Sequence, residues 1–198
     1  MFDTAKLANE KKLKNVLVSN GYINEKPLKE LSRYIDAANI NLKSFSEDIY
    51  LKLNAGKLQP VLNTLKTLSE AGVLLEITNL VVPTWTDNLE EIRKMCRWLS
   101  DNGFKNTPIH FDRFYPLHKL EQLPPTPVDI LNNAARIAAE EGLKYVYTGN
   151  VPGNEMSDTK CPSCGSTVVV RQGFRIASNT ITGGKSNKCG QTIDGVWN

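Results

Sequence analysis

The sequence predicts a parallel α/β domain followed by a small β tail, and three observations predict it. Short β-branched apolar runs alternate with stretches of helical spacing through the first 150 residues. Gly72, Gly103 and Gly142 each close a helical stretch just before such a run, where a C-terminal glycine cap belongs. After Gly149 the helical periodicity stops, and Gly153, Gly165, Gly173, Gly183, Gly184, Gly190 and Gly195 punctuate short β-like runs.

In chain order, a helix-like segment from Asp3 to Lys14 precedes a first strand at 15–19, and further strands are expected at 37–42, 73–82, 108–114 and 144–149. Between them, Val61, Leu62, Leu65 and Leu68 share one helical face in 60–70. Leu89, Ile92, Cys96 and Leu99 do the same in 89–99. Asp87 with Glu90 reads as a capping box for that second helix. A third helix follows Pro127 and carries Ile130, Ala134, Ile137 and Ala138. Strands alternating with helices mean βα units, in an open sheet or a barrel. The change of texture divides the chain into 1–152 and 153–198.

A tail of about 40 residues needs a metal or disulfides to hold a fold. Cys161-Pro162-Ser163-Cys164-Gly165 is the pattern of a zinc knuckle, in which the glycine permits the turn that aims two sulfurs at one ion. Cys189-Gly190 resembles the end of a second knuckle, but Ser186 stands where its first cysteine belongs. Cys161, Cys164 and Cys189 are therefore the expected metal ligands, with zinc the expected ion. A metal-free hairpin is the plainer reading. A redox dithiol is disfavoured, because no helix follows Cys161 to lower its pKa.

The 24 basic and 21 acidic residues leave a net charge of +3, too weak to argue for nucleic acid. The run Lys6, Lys11, Lys12, Lys14 reads as a solvated helix face. No apolar stretch approaches the roughly 20 residues of a membrane span, and Met1-Phe2-Asp3-Thr4 opens no secretory signal pattern. A cytoplasmic protein is expected.

Parallel α/β folds bind ligands at the carboxyl ends of their strands. Those ends offer Asn20, Asn41, Lys43, His110 and Arg113, groups able to hold the ribose, amino or carboxylate parts of a nucleoside-like ligand. The plainer reading makes them caps and turn residues, with His110 a satisfied core histidine. His118 is expected on an exposed loop and Cys96 in the core.

Several of these stretches carry a family resemblance. Asn20-Gly21-Tyr22, Asn41-Leu42-Lys43-Ser44-Phe45 and Leu80-Val81-Val82-Pro83 resemble successive strand ends of radical S-adenosylmethionine (SAM) proteins like pyruvate formate-lyase activating enzyme. The runs 108–116, 123–127 and 142–153, with the Cys-x-x-Cys-Gly and Asp194-Gly195-Val196-Trp197, are similar to the radical SAM member of the AmmeMemoRadiSam system. The resemblance implies the C-terminal portion of such an enzyme: a partial (β/α) barrel lacking its first two strands, then a zinc-ribbon-like β domain. It implies SAM and a [4Fe-4S] cluster in the full-length enzyme. There SAM is cleaved to a 5′-deoxyadenosyl radical that abstracts hydrogen, often from a glycyl residue. A protein or peptide substrate and Memo-like and AMMECR-like partners are implied as well. The sequence has no Cys-x-x-x-Cys-x-x-Cys, so this chain alone is expected to be inactive. Asn41 stands where the family has Asp, so a non-catalytic scaffold is the alternative.

Overall fold

The structure is a computed structural model that describes residues 1–173 and 175–197. Helix α1 (Phe2–Glu10) is followed by β1 (Val16–Ser19), α2 (Glu25–Leu31), β2 (Ala37–Asn41), α3 (Glu47–Asn54), α4 (Leu58–Glu70) and β3 (Leu74–Val81). Then come α5 (Leu89–Asp101), β4 (Ile109–Arg113), α6 (Val128–Glu140) and β5 (Val146–Gly149). These five strands form one sheet in chain order. The pairs β1–β2, β2–β3 and β4–β5 are parallel, with Leu17 beside Ala38, Ile40 beside Ile77 and Phe111 beside Thr148. The predicted α/β class and all five strands are present, each within two residues of its expected ends.

The chain divides into two compact units, Met1–Asn79 and Leu80–Asn198. This division falls inside β3, whereas the texture of the sequence changes at 152/153. That texture change corresponds to a switch from parallel strands to antiparallel ones: β6 (Thr159–Lys160), β7 (Thr167–Gln172) and β8 (Arg175–Asn179) in one sheet, β9 (Ile181–Thr182) and β10 (Lys185–Ser186) in another. The sequence also offers a short β-like run at 174–177, of which Phe174 lies outside the described residues.

In the first unit, Val61, Leu62, Leu65 and Leu68 are all buried on α4, as their spacing requires, together with Leu28, Ile40, Leu42 and Ile77. Helices α2 and α3 were not expected. Each is too short to show a period: α2 buries only Leu28 and Leu31, and α3 only Tyr50. Helix α1 stops at Glu10, and Lys12 takes a positive φ of 57°, so the basic run leaves the helix before Lys14. Its lysines are exposed, as a solvated face should be.

In the second unit, Ile92, Cys96 and Leu99 are buried on α5, and Arg93 and Arg97 reach Glu140 and Glu141 at the end of α6. Burial pushes the Cys96 thiol up to about 12, which makes it a core residue. The cap of α5 is Asn88 and not Asp87: its Oδ1 accepts from the Glu90 and Glu91 backbone N–H groups at 2.9 and 3.2 Å. Gly72, Gly103 and Gly142 close their helices at φ of 73°, 92° and 91°. Among the described residues no helix is long and apolar enough to cross a membrane.

Replacing Asn88 with Ala removes both capping bonds. Urea unfolding followed by circular dichroism should show a loss of about 1 kcal/mol with an unchanged m value.

Candidate functional site

A strand's side chains alternate between two faces, and the sheet uses this one-sidedly. On β3, Leu75, Ile77, Asn79 and Val81 are buried, while Glu76, Thr78 and Leu80 are half-buried. On β2, Ala38 and Ile40 are buried, and Asn39 and Asn41 are half-buried. The parallel register sets Asn39 beside Glu76 and Asn41 beside Thr78. Thr78 Oγ1 donates to Asn39 Oδ1 at 2.9 Å. The first unit therefore carries a row of polar side chains on the face opposite its core. Lys43, two residues past Asn41, donates from Nζ to Asn41 Oδ1 at 2.7 Å.

The segment Asn41-Leu42-Lys43 is pinned from both sides. Asn79, 1% exposed, donates from Nδ2 to the Leu42 carbonyl at 2.8 Å. The Tyr50 hydroxyl accepts from Lys43 N at 3.1 Å, and burial pushes that phenol up to about 12. Asn20 is exposed, and its Oδ1 accepts from Tyr22 N at 3.0 Å, so it shapes the turn after β1. Gly21 follows at φ 71°, where an added Cβ would lie 2.8 Å from Ile40 Cγ2; only glycine fits that turn.

In the second unit, His110 is half-buried on β4 and stacks on Tyr147 of β5, centroids 5.1 Å apart. Asp112 lies on the same face as His110, two residues on, and packs so closely on Gly149 that a Cβ there would meet its carboxylate. Arg113, at the end of β4, donates from Nε to the Thr126 carbonyl at 2.8 Å and lies over the Tyr115 ring at 5.1 Å. Thr126 is fully buried; its Oγ1 accepts from Phe114 N at 3.0 Å and donates to the Val81 carbonyl at 2.5 Å. His118 is exposed on a short 3-10 turn.

The tail is built onto β5. Tyr145, Cys161, Val168, Val169 and Ile193 form a small buried cluster with Tyr147 and Ile181 against it. The Tyr145 hydroxyl donates to Asp194 Oδ2 and accepts from Asp194 N, both at 3.0 Å. Arg171 lies over the Tyr147 ring at 5.5 Å. In this setting the Sγ atoms of Cys161, Cys164 and Cys189 all lie within 4.8 Å of one another, with Cys161 and Cys189 at 3.6 Å. Cys161 is buried; Cys164 and Cys189 are exposed. The Ser166 hydroxyl, 3.0 Å from Cys164 Sγ, and the Ser166 backbone N–H hold that thiol down to about 6, with a further contribution from Cys189. On Cys189 the Gln191 N–H pulls the thiol down, but its bond to the Cys164 thiolate helps push the net shift upward. On Cys164 it is a serine and a turn N–H, and not a helix end, that lower the thiol. Three sulfurs this close could hold a metal ion.

Of the residues expected at strand ends, Asn41 and Lys43 are in contact, and Asn20, His110 and Arg113 each have local partners. Asn39, Glu76, Thr78 and Asp112 were missed, although each lies two residues or one strand away from a residue that was named. Tyr50 and Asn79, which fix the Asn41–Lys43 segment, gave no signal of that role in the sequence.

A model of the radical SAM superfamily matches residues 1–99. An uncharacterized protein of Methanocaldococcus jannaschii is 41% identical over 196 residues, covering 98% of this chain and 58% of that protein. The chain thus spans little more than half the length of that relative. A domain of pyruvate-formate lyase-activating enzyme from Bacteroides vulgatus superposes with a TM-score of 0.64 at 15% identity, over 75% of this chain and 89% of that one. Streptococcus suis SuiB bound to S-adenosylmethionine gives 0.58 at 13%, over 75% of this chain and 36% of that one. These likenesses are of fold.

Tyr50→Phe should leave Lys43 N without its acceptor and cost about 1–2 kcal/mol in denaturant unfolding. Hydrogen exchange at Lys43 should speed up in step.

Proposed function

Because the chain belongs to the radical SAM superfamily, we propose that it supplies the SAM-facing strand ends and a C-terminal metal knuckle to a longer, activating-enzyme-like protein. In that protein, acting in the cytoplasm, SAM with a reduced [4Fe-4S] cluster supplies the 5′-deoxyadenosyl radical that takes hydrogen from a protein substrate, a glycyl residue by preference. Memo-like and AMMECR-like proteins are its proposed partners. The observation that carries the reading is the family match itself, supported by the activating-enzyme-like fold and by the 58% coverage of the archaeal relative.

The cysteines of this chain do not fit a radical SAM cluster. Cys96 is buried on α5. A cubane's thiolates sit on separate irons, further apart than the edge of a single-ion tetrahedron, whereas Cys161 and Cys189 are 3.6 Å apart. With metal–sulfur bonds near 2.3 Å, a tetrahedral zinc site has sulfur–sulfur edges of about 3.8 Å. The spacing favours one zinc ion, which would knit a tail whose own core is five residues.

SAM fits the strand ends better. Lys43 offers an ammonium for the carboxylate of its amino-acid part. Asn41, already oriented by Lys43, and Asn20 offer amides for ribose or amino groups. The pinning by Tyr50 and Asn79 sets these groups before ligand arrives, so less freedom is lost on binding. His110 and Arg113, at a strand end of the second unit, are proposed ligand-binding groups of that unit by itself. Asn41 in place of a carboxylate, and Ser186 in place of a cysteine, favour the second reading: a non-catalytic scaffold of the same descent.

Calorimetric titration of the 198-residue chain with SAM should show binding that Lys43→Ala weakens by about tenfold, as loss of one charged contact requires. Anaerobic iron–sulfide reconstitution should yield no 5′-deoxyadenosine from this chain. It should appear once an upstream segment with Cys-x-x-x-Cys-x-x-Cys is joined to it; continued absence would favour the scaffold. Product from the 198 residues alone would contradict the assignment. Elemental analysis should find near-stoichiometric zinc, and metal-free protein with an ordered tail would refute the knuckle.

A further inference from the structure

The tail contains two turns with the same backbone wiring, although only one has two cysteines. In the first, Cys161 N donates to the Ser166 carbonyl at 2.8 Å, and Gly165 N to the Cys161 carbonyl at 2.9 Å. In the second, Ser186 N donates to the Gln191 carbonyl at 2.8 Å, and Gly190 N to the Ser186 carbonyl at 2.9 Å. Gly165 and Gly190 take φ of 68° and 74° at equivalent places. The match extends to the sulfurs: Cys164 accepts from Ser166 N–H, and Cys189 from Gln191 N–H. Ser186 therefore occupies in its turn the position that Cys161 occupies in the other, and each is 2% exposed. Its Oγ accepts from Lys188 N at 3.4 Å within its own turn, and the buried hydroxyl helps to lower the Cys189 thiol, as a group beside that sulfur would.

We propose that Ser186 Oγ is the fourth ligand of a mononuclear tetrahedral site whose other ligands are Cys161, Cys164 and Cys189. This rests on the reading of the three cysteines as a metal site and adds the residue that closes it. A tetrahedral ion bound by three thiolates needs one more donor. The paired turns put Ser186 Oγ where the first turn carries Cys161 Sγ, on the buried side of the cluster. An oxygen donor bonds at about 2.1 Å against about 2.3 Å for sulfur, so the second turn draws slightly inward on binding. Replacing a soft thiolate by a hydroxyl lowers the preference for soft ions and makes the ion easier to remove than from four thiolates. The site is then a holder for one exchangeable divalent ion of zinc's size. Ser166, another hydroxyl near a sulfur, sits in the Gln191 position of its turn, with its Oγ 3.0 Å from Cys164 Sγ.

Cobalt(II) titration of the reduced, metal-free full chain tests this, because its visible spectrum reports the number of thiolates and the geometry. Wild type should take up one ion with tetrahedral bands. Ser186→Cys should raise the thiolate charge-transfer intensity by about one third, for four sulfurs in place of three, and slow removal by a chelator. Ser186→Ala should shift the bands and weaken binding about tenfold or more, while Ser166→Ala should leave the bands in place. Unchanged bands and affinity in Ser186→Ala would overturn the serine assignment alone, water then being the fourth ligand. Failure of wild type and Ser186→Cys alike to take up cobalt would overturn the metal site itself.

Discussion

Parallel strands joined by crossover helices bury one face beneath those helices, and this constraint sorts the rest of the structure. Because a strand alternates with period two, committing Ile40 and Ile77 to the core leaves Asn39, Asn41, Glu76 and Thr78 no choice of side. Their parallel register then sets them side by side. The polar row is a consequence of how the apolar row packs, so a one-residue slip would bury four polar groups and expose the core. The same alternation on β4 buries Ile109 and Phe111 and leaves His110 and Asp112 on the other face.

What the sequence made legible follows from this. β-branched apolar runs between helical stretches, and helices of thirteen residues, give patterns that can be read, so all five parallel strands and helices α4, α5 and α6 were anticipated. Helices α2 and α3 bury one or two side chains each, which is no pattern at all. Asn41 and Lys43 could be named because they end a strand. Tyr50 could not, since a hydroxyl reaching back seven residues to Lys43 N depends on the turn between β2 and α3. Asp87 was preferred to Asn88 as a cap because its spacing to Glu90 fits a capping box, but the chain enters α5 one residue later. Asn39 and Glu76 were within reach of a two-residue step from Asn41 and a matching position on the next strand.

The tail obeys a different constraint. Its buried cluster has five residues, one of them Tyr145, which precedes β5. Order there must come from elsewhere: aromatic side chains of 145 and 147, hydrogen bonds of Asp194 to Tyr145, and glycine turns that close in left-handed conformation. Those turns bring three sulfurs within 4.8 Å of one another without any helix. A pocket of this kind uses the backbone for geometry and the side chains only as donors. The second turn accordingly has the same backbone bonds with Ser186 at its first position as the first turn has with Cys161.

Two chemistries are thus proposed within one chain: SAM contacts at polar strand ends, and a single-ion site at three clustered cysteines. X-ray absorption at the metal edge of the purified, metal-loaded chain tests that separation most directly. The account predicts three sulfur neighbours at about 2.3 Å, one oxygen at about 2.0–2.2 Å and no metal–metal distance. An iron–iron distance, or a shell of oxygen and nitrogen without sulfur, would contradict it.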